Sequence, residues 1–134
     1  MIDTVTDTAT EIVTQSLEQL AERVGDPTPQ VYERLFARLP EAQARFARDV
    51  TGDIKGEMLT MVFGCLMDPD GPYQLNLVKA ERVNHDGFGT PNDEFDSFFD
   101  VVKETCRELL GPDWTAATEA AWITQIQRVT AATK

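Results

Sequence analysis

Imidazole is almost absent from this chain: 134 residues carry a single histidine, His85. That excludes every site needing two imidazoles, an HExxH zinc site among them. Thiols are nearly as scarce. Cys65 and Cys106 are too few and too far apart for a zinc knuckle or a CxxC redox pair. Positive charge is short as well: 12 Lys and Arg against 23 Asp and Glu leave a formal charge of −11. Such a chain repels phosphate backbones and anionic lipid surfaces, so neither nucleic acid nor membrane is an expected partner. No apolar run approaches the ~18 residues that span a bilayer. The segment Met1-Ile2-Asp3-Thr4-Val5-Thr6-Asp7 lacks the basic and apolar parts of a secretory leader. A cytoplasmic protein with reduced thiols is the expectation, with both cysteines acting as small buried hydrophobes. Period-two alternation is missing too, so no strand is predicted.

What is there is helical periodicity. The length suits one domain, 1–134, large enough to bury roughly two-thirds of its unfolded surface. Ile12, Val13, Leu17, Leu20, Ala21 and Val24 recur at spacings of one helix face. Asp7 or Thr8 is the expected cap, with Glu11 completing a capping box after Thr8, and Gly25 the stop. Thr28 is the expected cap of a second helix with Pro29 in its first turn, apolar at Val31, Tyr32, Leu35, Phe36 and Leu39 and ended or bent by Pro40. A short segment with Ala42, Ala44 and Phe46 follows, then a polar loop over 47–53. A third long helix carries Ile54, Met58, Met61, Val62, Cys65 and Leu66 up to the turn cluster Asp68-Pro69-Asp70-Gly71-Pro72. A weaker helix spans 73–85. A strong one carries Phe95, Phe98, Phe99, Val102, Cys106, Leu109 and Leu110 to Gly111-Pro112. The last begins near Thr115 and turns Trp122, Ile123, Ile126 and Val129 inward. The prediction is an all-α domain of six to eight helices with short connections.

Three segments carry more than periodicity. Val31-Tyr32-Glu33-Arg34-Leu35-Phe36-Ala37-Arg38-Leu39-Pro40 is followed six residues later by Phe46. His85-Asp86-Gly87-Phe88-Gly89-Thr90 comes next, and Leu110-Gly111-Pro112-Asp113-Trp114-Thr115 leads into Ala121-Trp122. In this order they resemble the B–C region and CD corner, the proximal-histidine corner, and the GH corner with its H-helix start in bacterial single-domain globins and flavohaemoglobin globin domains. The resemblance covers the chain from about residue 29 to 130. It implies a globin-like fold around a haem pocket, with haem b as cofactor. A haem needs one axial protein ligand, and the chain offers one imidazole beside a glycine-containing corner.

By the same resemblance, His85 ligates the iron and Phe46 stacks on the haem. Phe46, Ile54, Met58, Val62, Phe88 and Phe95 line the cofactor pocket. Tyr32, Ile54 and Met58 form the distal, gas-facing side, where the Tyr32 hydroxyl would donate to a bound O2 and slow its release. The distal position usually held by His or Gln falls on Ile54 or, one residue earlier, on Asp53; the apolar face shared with Met58 and Val62 favours Ile54. Lys55, Lys79 and Arg82 are candidates to meet the haem carboxylates. The chain departs from the family pattern at Glu81, where a Leu is usual under the haem; this weakens the match of the helix before His85 or implies an irregular segment there. It departs again at Ile126, where a Tyr that supports the proximal His is usual, which argues against a peroxidase-like electronic push. The implied activity is reversible binding of O2, and of NO or CO, for storage, delivery or sensing. Two alternatives stand beside it. One is NO dioxygenation with electrons from an external reductase. The other is a haem-free globin fold acting as a sensor or interaction module.

Overall fold

The computed structural model describes residues 4–46, 49–87 and 89–134, with side chains from residue 8 onward. Those residues form seven α-helices and one 3-10 turn, with no strand among them. The helices are α1 (Thr4–Arg23), α2 (Thr28–Arg38), α3 (Ala42–Arg45), α4 (Asp53–Met67), α5 (Pro72–Gly87), α6 (Asn92–Leu110) and α7 (Ala116–Thr133), with the 3-10 turn at Gly111–Asp113 between the last two.

Helix boundaries follow the punctuation of the sequence, with two differences at the caps. α1 already runs from Thr4, so the expected caps Asp7 and Thr8 lie inside it. It ends at Arg23, and Gly25 takes the left-handed conformation (φ +82°) that closes the turn. At α2, Thr28 is the first helical residue rather than the cap. The preceding Asp26 accepts from both the Thr28 amide (3.0 Å) and the Thr28 hydroxyl (2.5 Å). These bonds hold the Asp26 carboxyl below the usual carboxylate range. Pro40 stops α2 as expected, and Thr115 caps α7 by accepting from the Thr118 amide at 3.1 Å.

The amphipathic faces meet in one core. α1 packs chiefly on α7, where Trp122 is fully buried and donates through Nε1 to Ser16 Oγ at 2.9 Å. Gln125, also fully buried, donates to the Leu66 carbonyl at 3.0 Å and to Thr10 Oγ1 at 2.9 Å, tying α7 to α4 and α1. Each of these polar atoms has a partner, so burial costs little. α6 supplies Phe98, Phe99, Val102, Cys106 and Leu110 to the same core. Both thiols are buried and unpaired; burial pushes Cys65 up to about 11 and Cys106 up to about 12. No helix of the described residues is long and apolar enough to cross a membrane.

Candidate functional site: an apolar cavity with one imidazole

A cavity of about 680 Å³ opens between α2, α4, α5 and α6. Phe46, Ile54, Met58, Val62, His85 and Phe95 all line it. These are the positions the sequence assigned to a cofactor wall and an iron ligand, apart from Phe88, which lies outside the described residues. Of the two candidates for the distal position, Ile54 lines this cavity. Asp53 instead lines a separate groove between α1 and α4.

His85 sits in the last turn of α5. Its Nδ1 lies 2.7 Å from the Glu81 carbonyl oxygen, one helical turn back. A carbonyl only accepts, so Nδ1 carries the proton, and in the neutral ring Nε2 holds the free lone pair. The Phe95 ring packs on the imidazole with centroids 5.0 Å apart, and the Thr90 amide donates to the His85 carbonyl at 2.7 Å. The ring is thus held at one nitrogen and one face, while its backbone is tied to the following corner. α5 is continuous through Glu81, so the departure at that position does not make the helix irregular.

On the α4 side, the helix start is built by a residue that no helical pattern marks. Gly52, in the left-handed conformation (φ +82°), precedes α4 and brings no capping side chain. Asp49 takes that role from outside the helix. Its two carboxylate oxygens accept from the Ile54 amide (3.2 Å) and the Lys55 amide (3.1 Å). Those are the orphan donors that an N-cap normally satisfies, and the negative charge complements the helix dipole. Asp49 is buried and itself lines the cavity. A polar loop gives no periodic signal, so only the cap geometry reveals it.

Tyr32 stands differently from its expected role. It is buried and lies outside the cavity wall, packed against Phe46 (centroids 5.2 Å) and Phe98 (5.6 Å), which do line it. Its hydroxyl donates to the Lys55 carbonyl at 3.2 Å. Burial raises its pKa above the ordinary phenol value, with the Asp49 charge adding to the effect, so the proton stays on.

Of the cationic side chains expected at the haem carboxylates, Lys55 and Arg82 have other partners. The Lys55 ammonium lies 5.8 Å from the Phe36 centroid and 5.9 Å from those of Tyr32 and Phe46. Arg82 forms a two-pronged pair with Asp96 (2.9 and 3.0 Å), and Lys79 does not line the cavity. Among the described lining residues the cationic side chain is Arg45, which pairs with Glu94 at 2.6 Å. Four carboxylates, Asp49, Glu57, Glu81 and Glu94, share the wall. No group of three or more His, Cys, Asp or Glu among the described residues is arranged to hold a bare metal ion. Compared with family models, curated proteins and solved structures, the chain gives no match.

Proposed function

We propose that the chain is a haem protein of globin-like fold that binds O2 reversibly, and NO or CO in the same place. The observation that carries this reading is His85: a lone imidazole in an apolar wall, fixed in the tautomer that leaves Nε2 basic. Two further features support it. The cavity volume lies within the roughly 300–1,000 Å³ typical of cofactor pockets. Beside the four carboxylates, most of its wall is aromatic and aliphatic, as an apolar macrocycle requires, and Arg45 can exchange Glu94 for a carboxylate at the macrocycle edge. The haem, when bound, supplies the open iron position at which a diatomic gas ligates.

The remaining work falls to the chain's own residues. His85 anchors from α5, and Phe95 keeps its ring from turning. Ile54 and Met58 present apolar surface from α4 and exclude water, and Asp49 fixes the start of that helix. Tyr32 braces Phe46 and the α4 backbone. With one histidine in the chain, no second imidazole competes for the iron. The test is the absorption spectrum of the purified protein in ferric, ferrous and CO-bound forms. A Soret band, a five-coordinate ferrous form and a CO-induced shift are expected. A chain that takes up no haem, or a ferrous form that stays low-spin without added ligand, would overturn the reading.

A further inference from the structure

Glu81 is one of two residues, with Ile126, at which the chain departs from the globin pattern on the iron-ligand side, and the structure gives it two contacts with His85. Its backbone carbonyl accepts the Nδ1 proton at 2.7 Å. Any residue at that position would offer the same oxygen. Its side chain does something a leucine cannot: carboxylate Oε2 lies 3.7 Å from the same Nδ1, across one helical turn. Both side chains line the cavity. The neighbouring cation, Arg82, is committed to Asp96, so the Glu81 charge is not neutralised from that direction. Among the described residues, the Glu81 carboxylate has its close polar side-chain contact with the imidazole.

A negative charge beside Nδ1–H stabilises positive charge on the ring. It therefore strengthens Nε2 as an electron-pair donor, because donation through Nε2 leaves the ring more positive. A metal-bound histidine is commonly tuned in this way by the partner of its other nitrogen. Ile126 cannot supply that partner from α7, having no polar atom in its side chain. Here the carboxylate comes from the ligand's own helix. We propose that Glu81 is a positioning residue whose carboxylate makes His85 a stronger axial donor and favours ferric over ferrous haem. This inference rests on the haem reading above.

Three variants test it. Glu81→Gln keeps the shape and the backbone carbonyl but removes the charge; Glu81→Leu restores the residue usual in the family; Glu81→Asp keeps the charge on a shorter stem. In the haem-loaded protein, the Gln and Leu variants should shift the ferric-to-ferrous ratio about tenfold toward ferrous, a rise of about 59 mV for one electron. The iron–histidine stretching frequency of the ferrous form should fall with it, and the Asp variant should lie between these and the wild type. A readout without haem exists because the chain has one imidazole. Nitrogen NMR at about pH 9, where free imidazole is neutral, should show less Nδ1–H tautomer in the Gln and Leu variants than in the wild type. Haem-loaded Gln and Leu variants with wild-type potential and stretching frequency would overturn the role of Glu81 while leaving the haem reading intact. A wild type that takes up no haem would overturn both.

Discussion

The two ends of α4 belong to different kinds of interior. Toward its C-terminus, Cys65 and Leu66 meet α1 and α7 in a closed core, where Trp122, Gln125, Val13 and Val129 are fully buried and the buried polar atoms of Trp122 and Gln125 are hydrogen-bonded within the protein. Toward its N-terminus, Ile54 is half-exposed, Met58 is partly buried, and both face a cavity that no described side chain fills. Apolar surface left against open space forfeits the dispersion contacts that a filled core gains. A chain can fill such a space with one more large side chain. Among the described residues this space stays open, with the chain's only imidazole on its wall, and the proposed binding site rests on that pairing.

Variants at the two ends should therefore behave differently. The largest effect is expected at Trp122→Ala, a loss of about 3–5 kcal/mol of folding stability by denaturant titration, equal with and without haem. Phe46→Ala, on the cavity wall, should cost less in the haem-free protein, about 1.5–3 kcal/mol, and should in addition weaken haem retention. Equal losses at the two sites without haem would erase the distinction between closed core and open site.

Next in size is Asp49→Ala. It removes the acceptor of two α4 amides and should cost about 0.5–2 kcal/mol, with hydrogen exchange rising at the Ile54 and Lys55 amides. Asp49→Asn should recover part of the loss, since it keeps one acceptor oxygen. Protection that stays at wild-type level in the Ala variant would show that the α4 start does not depend on Asp49.

Tyr32→Phe is smaller still: about 0.5–1.5 kcal/mol for one hydrogen bond to the Lys55 carbonyl. Its informative readout is gas release. Because the hydroxyl is directed to that carbonyl, O2 dissociation measured by stopped flow should stay near the wild-type rate. A rate about tenfold faster or more, equivalent to ~1.4 kcal/mol, would place the hydroxyl on the ligand after all.

The smallest effect lies far from the cavity. A hydrogen bond from Lys103 at 2.6 Å, assisted by one from Trp114, holds Glu119 below the ordinary carboxylate range. A lowered folded value means that the stabilisation is complete above the unfolded value of about 4.3 and is lost as pH falls through the folded value. Glu119→Gln should flatten the acid limb of the stability curve in that window, by lowering stability near pH 7 and leaving it close to wild type below the folded value. An unaltered acid limb would show that the pair contributes nothing in solution.

Much of the helical framework was legible because each helix combines a periodic apolar face with local stop signals. Gly25, Pro40, the cluster around Pro69 and Gly111-Pro112 act on the chain's own backbone and need no tertiary information. The cavity wall was legible for a related reason: Ile54, Met58 and Val62 share one face of α4, and His85 and Phe95 flank a glycine-containing corner. Direction and partnership were not. Periodicity marks Tyr32 as inward but does not say whether its hydroxyl meets a ligand or the Lys55 carbonyl. Charge makes Lys55, Lys79 and Arg82 candidates for anion contacts. Whether an arginine is free depends on a residue such as Asp96, fourteen positions away on another helix. Asp49 was hidden because its cap reaches over Gly52 instead of preceding the helix directly. The same limit applies to Glu81, whose departure from the family pattern pointed to a weaker match or an irregular segment and whose structure shows a continuous helix with a carboxylate beside the imidazole.

The central claim is that His85 holds a haem in the cavity of α4, α5 and α6. Its most direct test is titration of the haem-free protein with ferric haem, followed at the Soret band, beside the His85→Ala variant. The account predicts saturation at one haem per chain for the wild type, and for the variant only weak, non-saturating uptake, with its helical circular dichroism unchanged. Equal uptake by both proteins, or none by the wild type, would contradict it.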